Sequence, residues 1–122
     1  MVAGRIMVVD DDPALLGFTT KYLMRLGYSV TGHRSSEEAW TQFSDSGQNY
    51  TLIVVDLSLP ALSGEDLARR MLDAKPDLRL IFTSGYPFEP AEFLPARADR
   101  VAFLHKPFTP SMLTGLIERL IG

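Results

Sequence analysis

Ile6-Met7-Val8-Val9-Asp10-Asp11-Asp12-Pro13 decides how the rest of the chain is organised. Four apolar residues in a row do not alternate between core and solvent, so they predict a short strand covered on both faces, as in a parallel sheet. Asp12 and Pro13 then suit a helix cap and a first helical position. The stretch therefore reads as a buried strand, an acidic loop and a helix start in immediate succession.

The same grammar recurs downstream. Leu52-Ile53-Val54-Val55, Leu78-Arg79-Leu80-Ile81-Phe82 and Val101-Ala102-Phe103-Leu104 predict three more buried strands, and the weaker run Tyr28 to Gly32 predicts an edge strand. Leu16, Thr19, Leu23 and Leu26 recur at helical spacing before Gly27. Ser35-Ser36-Glu37-Glu38 is a capping-box pattern opening a second helix through about Asp45. Ser63 to Ala74 makes a third, stopped before Pro76, and Thr109-Pro110 opens the last, through Leu113, Leu116, Ile117 and Leu120. A helical segment between Thr83 and Arg100 is expected to be short or irregular, because Pro87, Pro90 and Pro95 crowd it. Strands alternating with helices imply an α/β fold of three layers, a doubly wound five-stranded parallel sheet in the flavodoxin-like order 2-1-3-4-5. At 122 residues, residues 1–122 are expected to form one domain, with no repeat or linker.

Composition narrows the chemistry. A net charge of −3 is the wrong sign for a domain that works on nucleic acid or an anionic membrane. The chain has no cysteine, which removes disulfides, thiolate nucleophiles and zinc–thiolate sites. His33 and His105 lie far apart and form no metal motif. No signal-peptide pattern and no apolar run of membrane-spanning length occurs, so a cytoplasmic location without membrane contact is expected.

Ligands of open α/β sheets bind beyond the carboxyl ends of the strands. The runs end in Asp10-Asp11-Asp12, in Asp56, in Thr83-Ser84 and, after strand five, in Lys106. Carboxylates gathered on one edge repel each other and call for a cation. An all-oxygen acidic set selects a hard ion such as Mg2+, which completes its shell with water and phosphate oxygens. Lys106 adds a compact positive charge, and the Thr83 hydroxyl can bond a phosphoryl oxygen. Asp56 stands alone between Val55 and Leu57, placed to act as a nucleophile on phosphorus once charge on the incoming group is neutralised.

Taken together, Val8-Val9-Asp10-Asp11-Asp12-Pro13, Asp56-Leu57-Ser58-Leu59-Pro60 with Gly64, Thr83-Ser84-Gly85-Tyr86 and Lys106-Pro107-Phe108 resemble the CheY-like receiver domain of bacterial two-component response regulators. The resemblance covers essentially the whole chain. It implies a signalling switch rather than a free-standing enzyme: Asp56 accepts a phosphoryl group from a sensor histidine kinase or a histidine phosphotransfer protein. It implies Mg2+ held by Asp10, Asp11, Asp56 and the backbone carbonyl of Ser58. It further implies that Thr83 senses the phosphoryl group, that Phe103 is the switch aromatic, that Lys106 bridges to the site and that a cis peptide precedes Pro107. Signal output would then run through the face formed by the proline-rich segment, strand five and the last helix, toward an unidentified partner. Ser58 and Gly85 stand where the family often has larger polar groups, and Thr-Ser-Gly-Tyr-Pro is similar to receivers at the ends of hybrid sensor kinases.

Other readings fit less well. A haloacid dehalogenase phosphatase has a second aspartate two residues after its nucleophile, where this chain has Ser58. A flavodoxin-like redox protein needs a hydroxyl- and glycine-rich loop after strand one, and three aspartates there would repel a flavin phosphate. A phosphate-silent receiver would not need the full set of acids, Thr83 and Lys106.

Overall fold

A computed structural model describes residues 4–45, 49–87 and 99–121. Five strands, β1 (Arg5–Val9), β2 (Ser29–His33), β3 (Leu52–Asp56), β4 (Arg79–Ser84) and β5 (Val101–His105), form one sheet in the order β2-β1-β3-β4-β5. All neighbours are parallel, as the continuous apolar runs predict. The described helices are α1 (Pro13–Arg25), α2 (Ser36–Asp45), α3 (Gly64–Ala74) and α4 (Pro110–Ile121). Most of the proline-rich helical segment expected between Thr83 and Arg100 lies outside the described residues, so the last helix is numbered α4 here.

Strand residues point alternately to the two faces, and each face builds its own core. Met7, Val9, Ile53, Val55, Leu80 and Phe82 pack with Phe43, Leu67 and Met71 from α2 and α3. Ile6, Val8, Leu52, Val54 and Ile81 pack with Leu16, Leu23, Leu113 and Ile117 from α1 and α4. The result is a three-layer fold with the sheet in the middle. β2 sits at an edge, and its mixed burial follows from having one covered side.

Local signals set the helix boundaries. Asp12 Oδ1 accepts from the amides of Ala14 and Leu15, and Ser63 Oγ accepts from Asp66 N. Glu38 N donates to Ser35 Oγ, and Met112 N donates to Thr109 Oγ1. Arg79 Nε donates at 3.1 Å to the Leu120 carbonyl near the end of α4, where a cation complements the helix dipole. Gly27 closes α1 and Thr83-Ser84 end β4, as the sequence predicts. Leu26 is the cap residue after α1 and is exposed, because the chain has already left the helix before Gly27 at φ 99°. β4 begins at Arg79 and runs through Ser84, so Thr83 and Ser84 are strand residues paired to β5.

Candidate functional site

The carboxyl edge of the sheet brings the expected residues together. Asp10 follows β1 directly, and its amide donates at 3.1 Å to the His33 carbonyl, so the sheet ladder fixes where its side chain starts. Asp56 ends β3, and Thr83 sits opposite it on β4. Asp10, Asp56 and Thr83 are 5%, 4% and 2% exposed, so these polar groups are withdrawn from bulk water. Asp11, by contrast, is exposed.

Both buried carboxylates are held in the same way. Asp10 Oδ1 accepts from Asp12 N at 2.9 Å, and Asp56 Oδ1 accepts from Ser58 N at 2.9 Å. Such side-chain to backbone turns fix the carboxylate plane. The second oxygen of each then faces one ammonium: Lys106 Nζ donates to Asp10 Oδ2 at 3.0 Å and to Asp56 Oδ2 at 2.9 Å. Lys106 reaches this point from just beyond β5, where the Lys106–Pro107 bond is cis, as the sequence resemblance implies.

The electrostatics follow from burial against pairing. Burial pushes the Asp10 carboxyl up from its ordinary value, and the nearby Asp56 charge adds to this. The Asp12 amide and Lys106 pull it back only in part. A raised folded pKa means that the unfolded chain gives up this proton first. Ionising Asp10 therefore costs stability as pH climbs through its ordinary value toward the folded one. Lys106 shows the opposite balance: burial alone would lower it, but its hydrogen bonds to Asp56 and Asp10 outweigh this and hold it above its ordinary value. The site thus carries an excess of negative charge.

One carboxylate oxygen each of Asp10, Asp11 and Asp56 lie within 4.8 Å of one another. An octahedral Mg2+ with ligands about 2.1 Å away has ligand oxygens about 3 to 4 Å apart, so a small closure of this set fits the ion. The donor chemistry agrees, because all three ligands are hard oxygens. Ser58 lies on the loop tied to Asp56 through its amide.

The remaining expected residue, Phe103, lies one position before Leu104, which is the partner of Thr83. Its ring is half-buried against the α2–α3 side of the core and meets His105 edge-on at 6.1 Å. Two residues matter more than the sequence suggested. A Cβ on Gly64 would run into the carbonyl oxygen of Asp56, and Gly64 N donates back to Leu57 O, so α3 starts hard against the end of β3. Ser84 is buried beside Thr83 and bonds both the following turn and Lys106. Both residues stand in the motifs read from the sequence, but the contacts they make depend on what the fold brings close.

The family model of the response regulator receiver domain matches residues 6–118. The chain belongs to that family. NtrC of Azospirillum brasilense, a DNA-binding transcriptional regulator, is 33% identical over 122 residues, which is all of this chain and 25% of NtrC. The response regulator receiver protein CpdR of Brucella abortus is 29% identical over 120 residues, 96% of each chain. Among solved structures, a receiver domain protein from Clostridium thermocellum superposes with a TM-score of 0.83 at 25% identity, covering 97% of this chain and 94% of that one. The chain spans a quarter of NtrC and nearly all of CpdR. As a receiver it is a phosphoacceptor signalling domain of two-component systems. Among the described residues no helix is long and apolar enough to cross a membrane.

Proposed function

We propose that Asp56 is the phosphoacceptor of this receiver, that Asp10, Asp11, Asp56 and the Ser58 carbonyl hold Mg2+, and that Thr83, Phe103 and Lys106 turn phosphorylation into a change of shape. The observation that carries the reading is the pair of bonds from Lys106 Nζ to Asp10 and Asp56, because it holds beside a cation the one buried strand-end carboxylate that, among the described residues, lies outside the acidic loop. The donor would be a phosphohistidine of a sensor kinase or phosphotransfer protein. An Asp56 carboxylate oxygen forms the new O–P bond while the P–N bond breaks, its electron pair staying on the imidazole nitrogen. Lys106 offsets charge on the incoming phosphoryl oxygens, and Ser58 N holds the other Asp56 oxygen in place. Mg2+, when bound, would supply the positive charge that this acidic site lacks.

Two consequences can be measured. Asp11→Ala removes an exposed ligand that no described hydrogen bond needs for folding. It is expected to lower Mg2+ affinity by more than about tenfold, since even a partner outside the ligand shell carries that much. Stability should be unchanged or slightly higher, because one repelling charge is gone. Calorimetric titration with MgCl2 checks this, and undiminished affinity would contradict the ligand set.

For the switch, Thr83 moving toward a phosphoryl oxygen would open space that the Phe103 ring can enter. The two ring positions differ mainly in burial, worth at most about 1.5–3 kcal/mol, so both can be populated before phosphorylation. A beryllofluoride mimic should therefore shift the Phe103 ring resonances in NMR spectra. Ring signals that stay put while those around Asp56 move would assign the output to another face.

A further inference from the structure

We propose that Ser84 is a positioning residue for phosphoryl uptake: its hydroxyl sets the direction of its own carbonyl, and that carbonyl holds the backbone of Lys106. The inference rests on the reading of Asp56 and Lys106 above. β5 closes one edge of the sheet and, among the described residues, its backbone is paired to β4 alone. The ladder's last pair is Ser84 with His105, and the next bond runs from Lys106 N to Ser84 O at 2.8 Å. Lys106 then carries its ammonium to both buried carboxylates from a backbone held at that point.

The Ser84 side chain explains how that point stays fixed. Ser84 is 3% exposed, and its Oγ accepts from Tyr86 N at 2.9 Å. A hydroxyl bonded to the amide two residues on defines the backbone torsions between them, and with them the direction of the intervening carbonyl. Remove the hydroxyl and Tyr86 N loses its partner, while the Ser84 carbonyl keeps its bond to Lys106 N but loses the restraint of that turn. Gly85, between them, has no side chain to restrain the turn, and a Cβ there would meet nothing within 4 Å. The chain of contact is therefore Tyr86 amide, Ser84 hydroxyl, Ser84 carbonyl, Lys106 amide, Lys106 ammonium and the two carboxylates.

Size and hydroxyl can be separated with Ser84→Ala, Ser84→Thr and Ser84→Val, because threonine and valine have nearly the same shape. The rate of phosphoryl uptake from acetyl phosphate should fall about fivefold to tenfold in Ser84→Ala, the scale of one net hydrogen bond. Ser84→Thr should be faster than Ser84→Val by a similar factor. Amide exchange at Lys106 should quicken in Ala and Val but not in Thr. Rescue by threonine but not by valine, at equal side-chain size, separates positioning from general loosening. Wild-type rates in Ser84→Ala, or equal behaviour of Thr and Val, would overturn the proposal. Should the larger variants fail to fold, Ser84→Ala against wild type still decides by rate and Lys106 exchange. Uptake that persists in an Asp56→Asn control would instead sink the reading on which the proposal rests.

Discussion

Asp56→Asn is expected to take up no phosphoryl group from acetyl phosphate and Mg2+, while the wild-type chain gains the mass of one. The reason is positional as well as chemical. Asp56 ends the central strand with one oxygen held by Ser58 N and the other facing Lys106. The amide that replaces it keeps the shape and an oxygen for Ser58, but it is not a nucleophile. Asp10 is no substitute, because burial pushes its carboxyl up from its ordinary value and so disfavours the nucleophilic anion. Asp11 is exposed, and among the described residues Lys106 pairs with Asp10 and Asp56 instead. The rate should drop by at least about a thousandfold, the scale on which enzymes respond to loss of a nucleophile. Intact-mass spectrometry reads the result directly, and an unchanged mass gain would remove Asp56 from the reaction.

The second large effect concerns the fold that presents this carboxylate. Gly64→Ala is expected to destabilise the chain by about 1–3 kcal/mol or more, the cost of overpacking a filled site. The added methyl would overlap the Asp56 carbonyl oxygen and stand 2.9 Å from both the Asp56 carbonyl carbon and Leu57 Cα. These are backbone atoms and cannot swing aside as a flexible side chain would. Either α3 retreats, opening the core around Leu67 and Met71, or the end of β3 shifts and takes Asp56 with it. Gly115→Ala makes the internal control. It lies inside α4 with nothing within 4 Å, so the same change should stabilise by about 0.5–1 kcal/mol. Urea midpoints for the two variants should thus move in opposite directions. A Gly64→Ala variant as stable as the wild type would show that α3 does not press on β3 as described.

Much of this architecture was legible before any coordinates. Buried parallel strands announce themselves as continuous apolar runs, and the first polar residue after each run is already at the functional edge. That is why Asp10, Asp56 and Thr83, and Lys106 one residue further on after His105, could be named as candidates from sequence order, and why the sheet order followed from the alternation of strands and helices. Boundaries were less readable where tertiary pairing decides them. β4 starts one residue later than its apolar run, at Arg79, where pairing with Leu52 of β3 begins. Leu26 looked like a core position by spacing, yet the chain turns out of α1 before it. Gly64 and Ser84 were visible as motif residues, but their contacts were not, for a related reason. The need for a missing Cβ, or for one hydroxyl, appears only when the backbone of another element lies beside it.

The most direct measurement chemically marks the residue that carries the phosphoryl group. Borohydride reduces an aspartyl phosphate to homoserine, so phosphorylated protein treated this way and digested reports its acceptor by fragment mass. Homoserine is expected at position 56, formed only after exposure to a phosphodonor. Homoserine at position 10, 11 or 12, or none in protein that has gained the phosphoryl mass, would contradict it.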